Sequence, residues 1–164
     1  MTEIWKSKVI RMSLEVEKKL RDEIYTSLVV SNLAPIAKSR NDINIFTKNN
    51  FGVEIHKGER GVWRNATRTK EITHDEIGLA VSIHSLSEGP YDDSHSLEII
   101  KYAFPNTKSL SHDVREIESM KNVLDNELPL FIIVGPKGGD KILRKGIISS
   151  ANYKEKYWEI EPVK

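Results

Sequence analysis

The run Leu130-Phe131-Ile132-Ile133-Val134, set between Pro129 and Gly135, constrains this chain most. It is continuously apolar, too short for a helix and rich in β-branched residues, the form of a buried strand. Other strand-like stretches supply neighbours: Gly78 to Ile83, Leu97 to Tyr102, Lys145 to Ser149 and Tyr157 to Ile160. The alternating Ile43-Asn44-Ile45-Phe46, bracketed by turn-forming Asn41-Asp42 and Lys48-Asn49-Asn50, predicts a short strand, and Gly52 to His56 another. Between Ser13 and about Leu33, Leu14, Leu20, Ile24 and Leu28 recur at helical spacing, and the helix ends before Pro35. Asp113-Val114-Arg115-Glu116 has the form of a capping box. Ile117, Met120 and Leu124 then predict a second helix that closes before Pro129. Gly135-Pro136-Lys137-Gly138-Gly139 reads as a hairpin turn, because it lacks the Gly-Lys-Ser/Thr ending of a phosphate loop. The expected fold class is α+β, a curled, mostly antiparallel sheet or small β-barrel flanked by helices. Residues 1–40 would form an N-terminal helical segment packed on the core and residues 41–164 the main domain.

Composition narrows the chemistry. The chain has 164 residues, 38% hydrophobic and 30% charged, and no apolar run approaches the ~20 residues of a membrane span. Met1-Thr2-Glu3-Ile4-Trp5-Lys6 lacks the basic start and apolar core of a signal peptide, so a cytoplasmic location is expected. With no cysteine, disulfides, thiol catalysis and thiolate metal sites are excluded. The histidines at 56, 74, 84, 95 and 112 form no i, i+4 pair, so neither a metal site nor a cofactor is indicated. The net charge of +1 is low for a dedicated nucleic-acid binder. Distribution counters it, since Lys57, Arg60, Arg64, Arg68 and Lys70 face only Glu59 in their stretch, with Trp63 among them.

Ser87-Glu88-Gly89-Pro90-Tyr91-Asp92-Asp93 joins two expected strands and carries an aromatic ring beside two carboxylates. A tyrosine face can stack on a planar ring, and an aspartate can accept from an exocyclic amine, a combination suited to an extruded nucleobase. Tyr91, Asp92, Asp93 and Trp63 are therefore candidate base-pocket residues; Arg60, Arg64, Arg68, Lys70 and His95 are candidate phosphate contacts. A plain surface turn accounts for the same residues. A metal-dependent nuclease built on Asp92, Asp93 and Glu98 is the alternative, but strand alternation sends Glu98 and Lys101 to opposite faces. No catalytic set is expected in this chain.

Taken in order, Gly61-Val62-Trp63-Arg64, Gly78 to Ile83, Tyr91-Asp92-Asp93, Lys101-Tyr102-Ala103-Phe104-Pro105, Asp113 to Glu118 and Leu128 to Ile133 resemble the SRA/YDG-type reader domains of the wider PUA-like group. Such domains occur in bacterial modification-dependent restriction endonucleases of the HNH-associated type. The resemblance covers roughly residues 50 to 160. It implies that the chain binds double-stranded DNA carrying a modified base, flipping out 5-methylcytosine or 5-hydroxymethylcytosine first and N6-methyladenine second. It further implies that cleavage belongs to a fused or associated nuclease domain. Glu88, Gly89 and Pro90 stand where that family usually carries small residues before the Tyr. An RNA-binding PUA-like module is a further alternative.

Overall fold

The computed structural model describes residues 3–57, 61–73, 75–85, 99–107, 109–135 and 140–163. In chain order they form α1 (Glu3–Val30), β1 (Ile36–Ala37), α2 (Arg40–Phe51), β2 (Gly61–Trp63), α3 (Ala66–Thr73), β3 (Ser82–Ser85), β4 (Ile100–Ala103), α4 (Leu110–Asp125), β5 (Pro129–Val134), β6 (Lys141–Asn152) and β7 (Tyr157–Pro162). The strands make one sheet in the order β2-β3-β5-β6-β7-β4, with β1 added to β6.

β5 is buried at every position, as its unbroken apolar run requires. Its alternate residues feed two cores. Leu130, Ile132 and Val134 join Met120 and Val123 of α4, while Phe131 and Ile133 join Ile24, Tyr25 and Leu28 of α1 and Ile43 of α2. The sheet is thus covered by α4 on one face and by α1 with α2 on the other. It is also curled: the Tyr102 hydroxyl of β4, at one edge, donates to the His84 carbonyl of β3, 3.2 Å away, across the face that holds α4.

The α+β class and the mostly antiparallel sheet are as expected, but one strand pair is parallel and the sheet is not closed into a barrel. β3 runs parallel to β5, pairing Ser82 with Phe131 and Ser85 with Val134. Three local expectations are also corrected. Ile43 to Phe46 belongs to a helix, not a strand: Ser39 Oγ accepts from Asp42 N at 3.1 Å at one end, and Gly52 at φ +72° closes the other. Ile43 and Thr47, one turn apart, form the buried face of α2, while Ile45 points out. Gly52 to His56 consequently follows a helix cap and is not a strand. Asp113 does not open α4 either. Ser109 is the N-cap, and the Asp113 carboxylate accepts from Thr107 N at 2.8 Å and from Thr107 Oγ1 at 2.6 Å. The first helix begins earlier than its apolar pattern, and part of the basic stretch forms the helix α3.

α3 is joined to the sheet through a close approach at Gly78, whose φ is +77°. Thr69 Oγ1 accepts from Leu79 N at 2.9 Å, and a β-carbon on Gly78 would stand 2.4 Å from that oxygen and 3.1 Å from Lys70 N. Gly78→Ala should destabilise the protein by about 1–3 kcal/mol through backbone strain and overpacking. A chemical-denaturation midpoint unchanged from that of the parent protein would refute this.

Candidate functional site

A cleft of about 680 Å³ opens at the β2 edge of the sheet. Its walls come from the C-terminal end of α2 and the link after it (Lys48, Glu54, Lys57), from β2 and the turn into α3 (Trp63, Arg64, Arg68), and from the first half of α4 (His112, Glu116). Each segment reaches the cleft for a local reason. The Gly52 cap turns the chain so that Glu54 lies 3.6 Å from Lys48 across the helix end. The two faces of β2 send Val62 into the α4 core and Trp63 against the α1–α2 core, half-buried. Trp63 O accepts from Val81 N at 2.7 Å, fixing the strand beneath the ring.

The cations of the cleft are held differently. Arg64 Nη1 donates to the Ile77 carbonyl at 2.8 Å, which orients its guanidinium while leaving the residue partly exposed. Arg68 places both η nitrogens on Glu17 of α1, at 2.5 and 2.9 Å, so its charge is largely committed inside the protein. Lys57 is exposed, and Lys70 lies exposed in the last turn of α3 and does not line the cleft.

Opposite them, Glu116 Oε1 lies 3.3 Å from His112 Nε2 one turn earlier on α4. The glutamate side chain is only 8% exposed although it lines the cleft. Burial raises its carboxyl above the usual glutamate range and the neighbouring Asp113 carboxylate adds to this; His112 and Arg64 pull the other way without cancelling it. The cleft therefore holds an aromatic ring, oriented cations and one carboxyl group biased toward its neutral form.

Of the sequence-derived candidates, the structure brings Trp63, Arg64 and Arg68 together here. Tyr91, Asp92, Asp93, His95 and Arg60 lie outside the described residues, as does Glu98. The stretch carrying Tyr91 joins β3 to β4, and the Tyr102–His84 hydrogen bond ties those two strands together. Lys48, Glu54, His112 and Glu116 were not foreseen as site residues. Comparison of the chain with protein-family models, curated proteins and solved structures finds no match. Among the described residues, no three His, Asp or Glu side chains group as a metal site, and no helix is long and apolar enough to cross a membrane.

Proposed function

We propose that this chain is a DNA-binding reader of modified bases, an SRA-like recognition domain that extrudes one base and serves a modification-dependent restriction endonuclease. The supporting observation is the cleft, which sets the half-buried Trp63 beside Arg64, Lys48 and Lys57 in a space wide enough for a nucleobase. Lysine and arginine around its mouth neutralise phosphates. The indole offers a stacking surface, and stacking contributes about 1–3 kcal/mol per base. Extrusion costs a few kcal/mol, which stacking and hydrogen bonds to the base edge must offset. The resemblance to reader domains implies Tyr91, Asp92 and Asp93 as further base-reading residues, Arg60, Arg68, Lys70 and His95 as further phosphate contacts, and modified cytosine before N6-methyladenine as the mark.

The test is equilibrium binding to duplexes identical except for one central cytosine, 5-methylcytosine, 5-hydroxymethylcytosine or N6-methyladenine, with EDTA present. The expected result is a preference of about tenfold or more for one modified duplex, equivalent to about 1.4 kcal/mol. Trp63→Ala should remove most of that preference. Lys57→Ala should weaken all four duplexes alike and lower the salt dependence by about one unit of slope. Equal, weak binding to all four overturns the reading, and tighter binding to structured RNA replaces it with an RNA-binding module.

A further inference from the structure

Resting on that reading, we infer that Glu116 is the base-reading group of the cleft, pairing with the amine-bearing edge of cytosine or adenine and taking up a proton as it does so. The geometry is specific. Glu116 lies deep in the cleft on α4, facing β2 closely enough that a β-carbon placed on Gly61 would stand 4.0 Å from its Oε1. His112 Nε2, 3.3 Å from the same Oε1, fixes the position of one carboxyl oxygen.

The Watson–Crick edges of cytosine and adenine each present an amine donor next to a ring nitrogen acceptor. A neutral carboxylic acid matches that edge with two hydrogen bonds, because its O–H donates to the ring nitrogen while its carbonyl oxygen accepts from the amine. An ionised carboxylate only accepts, so it meets the ring nitrogen lone pair with a second lone pair. Guanine, which offers adjacent N–H donors, suits the ionised form. Thymine presents its N–H beside a carbonyl oxygen, so it meets the neutral acid with two hydrogen bonds and the ionised form with one. A flipped base is read along this edge, so ionisation of Glu116 removes the paired contact with cytosine and adenine.

The proton balance follows directly. The paired state contains Glu116, the base and one shared proton, whether that proton resides on the carboxyl oxygen or on the ring nitrogen. Where Glu116 is ionised in the free protein, forming the pair takes one proton from solvent. Affinity for cytosine or adenine duplexes should then be constant below the raised carboxyl pKa and fall by up to about tenfold per pH unit above it. The groups facing Glu116 that could add their own pH dependence are His112 and Asp113 on its own helix. Arg64, Arg68, Lys48, Lys57 and Glu54 lie on the other walls.

A glutamine isolates the effect, since its amide both donates and accepts at any pH. Binding would be measured from pH 5 to pH 8 on duplexes bearing a central 5-methylcytosine, cytosine, thymine, guanine or abasic site, for the parent protein and for Glu116→Gln. The expected result is tighter binding of the cytosine duplexes than of the abasic one. Their pH profile should be steeper than the abasic profile, and Glu116→Gln should keep the preference while reducing the slope to that of the abasic duplex. Glu116→Ala should lose the preference. Parallel profiles for cytosine and abasic duplexes in the parent protein overturn the assignment while leaving phosphate binding intact. Failure of every duplex, abasic included, to bind overturns the DNA reading beneath it.

Discussion

Replacing Glu17 with alanine should cost the fold about 3–5 kcal/mol, the penalty of stranding a buried cation without its partner. Glu17 and Arg21 are 2% and 1% exposed, and their contact, 2.8 Å from Arg21 Nε to Glu17 Oε2, lies between α1 and the sheet. Arg21 Nη1 donates to the Pro129 carbonyl at the start of β5, and Arg68 brings two further donors from α3. One carboxylate thus serves α1 and α3 while its arginine reaches the central strand. Removal leaves two guanidinium groups facing each other with no anion between them.

The same network makes stability depend on pH. Burial by itself would raise the Glu17 carboxyl, but hydrogen bonds and charge from Arg68 and Arg21 outweigh it and hold the carboxyl below its ordinary value. A depressed carboxyl contributes stability that is present above the unfolded-state value and is lost as pH falls through the folded-state value. Glu17→Ala should therefore be most destabilising near neutral pH, and its deficit relative to the parent protein should narrow in acid. Denaturant midpoints at neutral and acidic pH measure both effects. Equal midpoints for the two proteins at neutral pH would show that the network contributes nothing net.

What could be read from the chain before its structure follows from how local each determinant is. β5 declares itself because burial on both faces demands apolar residues at every position, and that demand is written in consecutive residues. The hairpin partners β6 and β7 show instead alternating burial, a pattern also written in neighbouring residues. α2 resembles a strand locally because Ile43 and Ile45 fit a two-residue alternation, whereas Ile43 and Phe46 fit a helical face. Its deciding signals, Ser39 and Gly52, are the caps at its two ends, thirteen residues apart in the chain. Glu116 fits the last position of a capping box, yet it falls one turn before Met120 on the buried side of α4. A carboxyl at an apolar helical position was the available sign of a special environment. Nothing local marks the cleft as a whole, because it unites residues near 50, 65 and 115, from α2 and its link, β2 and α4, that meet only in the tertiary structure.

Trp158→Ala should be the most damaging core substitution, costing about 3–5 kcal/mol for the lost transfer energy and the cavity left behind. Trp158 is fully buried on β7, within the core that also holds Ile83 of β3 and Met120 of α4. Its ring lies 4.1 Å from that of Phe104 and is stacked 6.3 Å from that of Tyr102, centre to centre. The surrounding backbone is paired on both sides, to Tyr102 on β4 and to Ala151 on β6, so little collapse into the space is open to it. The loss should extend beyond stability. Tyr102 is the residue that carries the hydrogen bond from β4 to His84 on β3, across the strands that bound the Tyr91 stretch. With the indole gone, Tyr102 loses the surface that orients it. Trp158→Ala should therefore reduce discrimination between modified and unmodified duplexes at temperatures where the variant remains folded, while Trp158→Phe, which keeps an aromatic face, retains more of both. Unfolding midpoints and the duplex panel, measured on the same preparations, separate the two effects. Full discrimination by folded Trp158→Ala would show that the aromatic cluster supports the sheet but does not shape the reading site.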